Sequence, residues 1–209
     1  MPVRRIPNSH TSVTGRRAVR NGHRSVASES KLESDFVALM RFEYPNAQIE
    51  EQPVRIEYTD EDSKARKYTP DFLVTRPGQQ ALLVEVKPSN RVADILKSKI
   101  QAASDFASQK GWKFEIWTEK EIRGPRLENA HFLQMFRNAD TDAETKQFVI
   151  ETLSSLQPVK LQSLLETLWP YKEDRALGLP VVWNLVANKE ITFDLNTKIC
   201  PQTMLRLAR

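Results

Sequence analysis

The sequence predicts an α/β protein in which a mixed sheet is flanked by helices and followed by a smaller helical domain. Segments 68–74 and 81–86 are strand-like and are separated by a Pro-Gly turn, which is typical of two neighbouring strands. A stretch of helical period then leads to strand-like segment 112–118, so a right-handed crossover should make that strand parallel to 81–86. From Ala143 onwards, three leucine-rich helical segments replace the strands.

The length of 209 residues suffices for one compact core and a small appended domain. We expect a basic, flexible arm over residues 1–28, the α/β domain over residues 29–140 and a winged-helix-like domain over residues 143–209. The one cysteine, Cys200, excludes disulfides within the chain and Cys-based metal sites. The scattered histidines lack the spacing of zinc ligands, and the absence of a Gly-rich phosphate loop argues against an NTPase.

The first 28 residues hold six arginines and no acidic residue. Such a segment has too little apolar content to fold by itself, and its charge suits contacts with phosphate. We therefore predict that it binds DNA through Arg16, Arg17, Arg20 and Arg24. A solvated tail and a targeting peptide are the alternatives, since Arg-rich, acid-poor starts also resemble transit sequences. Without an apolar run of membrane length, we expect a soluble protein of the cytoplasm that contacts no membrane.

Hydrophobic periodicity, together with the positions of proline, glycine and capping residues, predicts the helices and strands along the chain. The first helix should run from Ser30 to about Phe42, followed by a strand over 52–58 and an acidic turn over 59–63. Pro88 ends the strand 81–86, and a long helix should then run to Gly111. After the strand 112–118, Thr118 should cap a short helix over 119–123, and 129–137 should be helical too.

The segments 68–74 and 81–86 carry an unusual set of charged residues. Pro70 belongs at the mouth of a strand and delivers Asp71 at its first positions. Glu85 and Lys87 alternate with apolar residues and so share one face of the next strand. Converging carboxylates repel each other, and Mg²⁺ relieves that repulsion while activating a water for phosphodiester hydrolysis. The alternative is a surface hairpin, but Pro-Asp, a turn and an apolar strand ending in Glu-Val-Lys favour catalysis.

Glu33 has two interpretations that the residues leave open. With Ser30 it fits a capping box at the start of the first helix. It also lies at the edge of the buried face of that helix, where it would add a third carboxylate beside Asp71. Competing candidates for that third carboxylate are Glu29, Glu50 and Glu51.

The C-terminal part is predicted to contain three helices and a terminal hairpin, which together indicate a winged-helix module. The helices are marked by apolar residues in 148–156, 161–168 and 179–186, and the hairpin strands by 190–195 and 203–207. Such modules often bind DNA. The third helix is apolar, however, with Lys189 as its clearest cation, so docking to a protein is an equal alternative.

Several motifs, in this order, resemble the TnsA endonuclease subunit of heteromeric transposases. They are Ser30-x-x-Glu33, Glu51-Gln52-Pro53, Tyr68-Thr69-Pro70-Asp71-Phe72, Glu85-Val86-Lys87-Pro88, and Thr118-Glu119 with Ile122. The resemblance implies a restriction-endonuclease-like core with a C-terminal winged-helix-like domain. It also implies Mg²⁺-dependent hydrolysis of the 5′ strands at transposon ends during cut-and-paste DNA transposition, with Mn²⁺ able to substitute for Mg²⁺.

On this resemblance, Glu33, Asp71 and Glu85 would hold the metal and Lys87 would assist the attacking water. Some relatives have Gln at the position of Glu85. The implied partners are DNA, the integrase-like transposase subunit TnsB and the AAA+ ATPase TnsC. The alternatives are a stand-alone restriction or repair nuclease of the same fold, and a catalytically silent module that docks transposase subunits.

Overall fold

The computed structural model describes residues 15–17, 26–28, 31–95 and 97–208, with the backbone alone for the first two stretches and for Asp94. The chain forms two compact units, one up to Arg123 and the other from Gly124. This division falls earlier than residue 140, the end that the sequence suggested for the α/β domain. The reason is that residues 125–134 pack with the helix over residues 172–187.

In chain order, the first unit contains the strands β1 (Gly15–Arg17) and β2 (Val26–Ser28), the helix α1 (Lys31–Glu43), the strands β3 (Gln48–Glu51), β4 (Ile56–Thr59), β5 (Ala65–Tyr68), β6 (Phe72–Thr75) and β7 (Leu82–Val86), a 3₁₀ segment (Ser89–Asp94), the helix α2 (Lys97–Gln109), the strand β8 (Lys113–Trp117) and the helix α3 (Glu119–Ile122). The central sheet has the order β3-β6-β7-β8. The β3–β6 and β6–β7 pairs are antiparallel and β7–β8 is parallel, which confirms the predicted mixed sheet and crossover.

Helices cover the sheet on both faces, as the continuous apolar run of β7 requires. On one face, the ring of Phe36 from α1 lies 5.2 Å from that of Phe72 and 5.3 Å from that of Trp117, measured between centroids. On the other face, Ala103 and Ala107 of α2 pack into a buried cluster with Tyr68 and Leu83. All five residues of β7 are consequently buried, including Glu85.

The predicted strand over 52–58 is confirmed only in its second half, because β4 begins at Ile56 and the residues before it form a break after β3. Gln52 has a φ of 49°, and Pro53 has no N–H to donate to a ladder. The chain therefore leaves the central sheet after β3 and enters the antiparallel hairpin β4–β5. The acidic turn of that hairpin is confirmed: Asp60 Oδ1 accepts hydrogen bonds from the backbone N–H groups of Asp62 and Lys64.

The predicted long helix from Ser89 to Gly111 is also divided. Ile95 adopts an extended conformation, with ψ at 122°, and separates the 3₁₀ segment from α2. Ser89 does not cap a helix; its N–H and hydroxyl instead donate to the carboxylate of Glu119. The end at Gly111 is confirmed, where the positive φ of 70° suits glycine.

The start of α2 is held by the β4–β5 hairpin. The carboxylate of Glu61 accepts from the backbone N–H of Ser98 at 3.1 Å and from its hydroxyl at 2.9 Å. Glu61 thereby satisfies a donor in the first turn of a helix that is remote from it in sequence. These hydrogen bonds hold the pKa of Glu61 below its ordinary value.

The second unit contains the helices α4 (Pro125–Gln134) and α5 (Ala143–Leu156), the strand β9 (Val159–Lys160), the helices α6 (Leu161–Leu168) and α7 (Lys172–Ala187), and the strands β10 (Ile191–Thr192) and β11 (Met204–Leu207). The three predicted helices and the terminal hairpin are confirmed. Strand β9 was not predicted, and it pairs with β11 to complete an antiparallel sheet of order β10-β11-β9. Asn184 anchors the chain after α4, because its Nδ2 donates to the carbonyl of Phe136 at 2.8 Å.

Part of the predicted N-terminal arm has a described backbone. Strands β1 and β2 pair antiparallel, with Arg16 opposite Ala27. The rest of residues 1–28 lies outside the described residues, so the flexibility of the arm stays a prediction.

Candidate functional site

Asp71 and Glu85 lie side by side on neighbouring strands. The β6–β7 register pairs Phe72 with Val84, and the N–H of Asp71 donates to the carbonyl of Val84 at 3.0 Å. Antiparallel pairing continued by one residue sets Asp71 opposite Glu85 on the same face. The ladder also fixes the Asp71 side chain, since its Oδ2 accepts from the N–H of Val86 at 2.8 Å. The predicted convergence of these two carboxylates is therefore present.

Burial raises the pKa of Asp71 well above its ordinary value, and the negative charges of Glu85 and Glu33 raise it further. The N–H of Val86 and the charge of Lys99 oppose this effect without cancelling it. A carboxyl whose ionisation is opposed by two other carboxylates belongs to a shared acidic site. Glu33, Asp71 and Glu85 thus form one electrostatic cluster, which we call the carboxylate cluster.

Glu85 is 6% exposed, and both of its carboxylate oxygens accept hydrogen bonds. The hydroxyl of Tyr68 donates to Oε2 at 2.7 Å, and the ammonium of Lys99 donates to Oε1 at 2.8 Å. Burial, followed by the charge of Glu85, raises the pKa of Tyr68 above its ordinary value, so the hydroxyl keeps its proton and remains a donor. A buried carboxylate needs this kind of compensation to remain charged.

Lys99 also belongs to the site, although the sequence did not predict its contact with Glu85. Lys99 lies in the first turn of α2, and its Nζ is 4.1 Å from the centroid of the Tyr68 ring. A signal was available, because Lys99, Ala103 and Ala107 are spaced by four residues and share one helix face. Both alanines are fully buried. A lysine on a buried helix stripe predicts a buried acidic partner.

Lys87 follows β7 directly, two residues beyond Glu85, and is half-buried. Its N–H donates to the carbonyl of Trp117 at 2.9 Å, which extends the parallel ladder to this position. The segment after Lys87 is also held in place, because the N–H and the hydroxyl of Ser89 donate to the carboxylate of Glu119. These hydrogen bonds lower the pKa of Glu119 to about 2. Strand alternation places the Lys87 side chain on the face that carries Glu85.

Glu33 occupies the first turn of α1 and is half-buried. Its charge acts on Asp71, which supports the interpretation of Glu33 as part of the site. The capping alternative requires Ser30, and the competitor Glu29 precedes it; both lie outside the described residues.

The other two competitors, Glu50 and Glu51, lie on β3. They are registered with Leu73 and Phe72 of β6 rather than with Asp71. Neither carboxylate is among the charges that shift the pKa of Asp71 most strongly.

The donor set of the carboxylate cluster matches a hard divalent cation, because Mg²⁺ prefers carboxylate oxygens. The neighbouring carboxylates raise the pKa of Asp71, and a bound cation would relieve that repulsion. Within the described ranges, no group of three or more His, Cys, Asp or Glu side chains is arranged to hold a metal ion. The cation that is in contact with Glu85 is the Lys99 ammonium. The residues therefore fit a metal in their chemistry, with Glu85 engaged by an internal ion pair.

Two of the four predicted DNA-binding arginines, Arg16 and Arg17, lie on β1, where the structure describes the backbone. Arg20 and Arg24 lie outside the described residues. Among the helices that are described, none has the length and hydropathy needed to cross a membrane.

Comparison with known protein families gave two matches in chain order. The model of the TnsA-like endonuclease N terminal matches residues 47–119, and that of the TnsA endonuclease C terminal matches residues 121–195. The first match contains Asp71, Glu85 and Lys87, and it begins after Glu33. No curated protein matched the chain. Together the two matches span both compact units, and the chain belongs to the family of TnsA-type endonucleases of the Tn7 transposase system.

Proposed function

We propose that this protein cleaves the 5′ strands at the ends of a transposon by Mg²⁺-dependent phosphodiester hydrolysis, as the endonuclease subunit of a heteromeric transposase. The observation that carries the proposal is the pairing of Asp71 with Glu85 on adjacent strands, within the electrostatic reach of Glu33. Family membership supports the reaction class, since both TnsA endonuclease domains match.

Glu33, Asp71 and Glu85 would hold the metal ion, and Mn²⁺ would substitute for Mg²⁺. When bound, such an ion lowers the pKa of a water molecule and neutralises charge on the phosphoryl group. The N–H of Val86 fixes Asp71, and Tyr68 fixes Glu85, so the chain presets both carboxylates before the metal and DNA bind.

Lys87 would orient the attacking water or stabilise the charge that develops on the phosphate. Its position supports this role, because it directly follows β7 on the side that carries Glu85, and its N–H donates to the carbonyl of Trp117. A lysine ammonium donates up to three hydrogen bonds and accepts none, which suits contact with phosphate oxygens.

Two finer features of the fold also belong to the proposal. The mixed sheet with helices on both faces supports a restriction-endonuclease-like core. The order α5, β9, α6, α7, β10, β11, with an antiparallel sheet of order β10-β11-β9, supports a winged-helix-like second domain.

We propose that the protein works with an integrase-like subunit of the TnsB type, which would cut the 3′ strands, and with an AAA+ ATPase of the TnsC type. The DNA contacts of the N-terminal segment would come from Arg16, Arg17, Arg20 and Arg24. The location that fits this role is the bacterial cytoplasm, at the nucleoid when the complex is assembled.

The test is strand cleavage of a transposon-end duplex by wild type and Asp71→Ala, with Mg²⁺ and the partner subunits. Asp105→Ala is the matched control, since that aspartate lies on the helix α2 and pairs with Gln101. We expect 5′-strand cleavage with wild type and the control, and none with Asp71→Ala. Cleavage by Asp71→Ala would refute the assignment. Efficient cleavage of unrelated DNA by the wild-type protein alone would indicate a free-standing nuclease. Full transposition with the Asp71→Ala variant would indicate a module that only docks the transposase subunits.

A further inference from the structure

Lys99 places a cation in direct contact with the carboxylate cluster. Its Nζ is 2.8 Å from Glu85 Oε1, and the two side chains are 22% and 8% exposed. The charge of Lys99 also opposes the raised pKa of Asp71, so the ammonium acts on both carboxylates. The resemblance to the endonuclease family assigned no role to this residue.

A divalent cation and an ammonium cannot both make close contact with Glu85 without repelling each other. At a few ångströms, two positive charges near a protein surface repel each other, and this repulsion lowers the affinity for the metal. Both oxygens of Glu85 are already engaged, by Lys99 and by Tyr68. The tyrosine hydroxyl is neutral and competes with a metal for one oxygen only. The lysine, in contrast, carries a positive charge that repels the metal.

We propose that Lys99 is an internal counter-ion of the carboxylate cluster and that a divalent cation must displace it from Glu85 in order to bind. The inference rests on the proposed metal site and adds a determinant of its affinity. Without metal, the Lys99 ammonium compensates the buried carboxylate of Glu85 through the ion pair. With metal, the ammonium leaves Glu85, so its charge weakens the binding of every divalent ion at the cluster.

The ammonium of Lys99 makes a second contact in the position that it occupies. It already lies 4.1 Å from the centroid of the Tyr68 ring, within the range of a cation–π contact. The first turn of α2 is held in place by the hydrogen bonds between Glu61 and Ser98. The proposed displacement needs only a rotation of the lysine side chain about its own bonds, with no movement of the helix.

The test measures Mg²⁺ binding to the full chain by titration calorimetry, without DNA. Lys99→Met removes the charge, and Lys99→Gln removes it while keeping a donor for Glu85 if the methionine variant fails to fold. Lys97→Met is the matched control, because Lys97 is an exposed lysine on the same turn. We expect both Lys99 variants to bind Mg²⁺ roughly tenfold more tightly than wild type, and the control to bind like wild type.

Equal or weaker Mg²⁺ binding by both Lys99 variants would overturn the inference, provided that wild type binds and Asp71→Asn does not. Absence of Mg²⁺ binding in every variant would refute the proposed metal site itself, and the inference with it. A second measurement uses wild type alone: the NMR shift of the Lys99 Cε, assigned by comparison with Lys99→Gln, should move as Mg²⁺ saturates the site. A Cε shift that stays constant through saturation would show that Lys99 is not displaced.

Discussion

Replacing Tyr68 by phenylalanine tests how the fold stabilises a buried carboxylate. The hydroxyl of Tyr68 donates to Glu85 Oε2 at 2.7 Å, and each residue is only 6% exposed. Phenylalanine keeps the ring in its cluster with Leu73 and Leu83, so the substitution removes the hydroxyl and little else. Glu85 would then keep Lys99 as its remaining described donor.

The expected cost follows from the charge and burial of the acceptor. A hydrogen bond to a charged group contributes about 1.5–3 kcal/mol, and a buried oxygen left without its donor pays the desolvation penalty. Because Lys99 still donates to the other oxygen, we expect a loss of about 2 kcal/mol in the free energy of unfolding of the first unit.

Native-state hydrogen exchange of the β5 and β7 amides is the suitable assay, since it reports opening of the first unit and not of the whole chain. Tyr171→Phe is the control, because Tyr171 is 73% exposed and a surface change of this kind should be near neutral. A second arm measures Tyr68→Phe in a Glu85→Gln background, where the loss should shrink. The argument fails if Tyr68→Phe costs no more than the control, or if its cost is unchanged beside Glu85→Gln.

Three further predictions concern other parts of the chain. Asp71→Asn should stabilise the metal-free protein at neutral pH, because burial and neighbouring charges raise the pKa of Asp71 in the fold. Each unit by which the pKa is raised corresponds to about 1.4 kcal/mol of lost stability. Calorimetric unfolding in the presence of a chelator measures this gain. Glu61→Gln should speed hydrogen exchange in the first turn of α2 severalfold, because it weakens the cap on Ser98. Gly178→Ala should lower the free energy of unfolding of the second unit by about 1–3 kcal/mol, because the added Cβ would lie 2.4 Å from the Trp169 ring. Unfolding by denaturant measures this loss.

Each of these predictions has its own check. The gain from Asp71→Asn should vanish as the pH falls to about 4, where unfolded aspartate also takes up a proton; a gain that is independent of pH contradicts the cause. The effect of Glu61→Gln should fade at low pH, where the glutamate is protonated, and a uniform change along α2 would contradict capping. Leu177→Ala is the control for Gly178→Ala, because Leu177 is 79% exposed on the same helix.

Tyr68 also predicts a pH dependence at the alkaline end. Its pKa is raised above the ordinary value in the fold, while the unfolded residue ionises near pH 10. The unfolded state therefore loses a proton that the folded state keeps, and stability should fall as the pH rises above about 10. Tyr68→Phe should reduce this fall when unfolding is followed over the same pH range. A fall of equal size in the variant would assign it to other groups.

The sequence determined the elements whose signals are local. Pro70 and the alternation of Glu85 with its apolar neighbours placed two strands, and Thr118 correctly predicted the capped start of α3. The same rules failed where a tertiary constraint overrode the period. The polar strand β3 is stabilised by its pairing with β6, and the positive φ of Gln52 separates it from β4.

The candidate site divides in the same way. The sequence by itself predicted that Asp71 lies beside Glu85 and that Lys87 shares the face of Glu85, because strand period and one short turn define these relations. Only the tertiary structure decided that Lys99, from a helix after the crossover, pairs with Glu85, and that the charge of Glu33 acts on Asp71. The physical reason is that contacts between distant segments depend on how a helix docks on the sheet, which no local pattern specifies, whereas neighbours within a hairpin are set by the backbone alone.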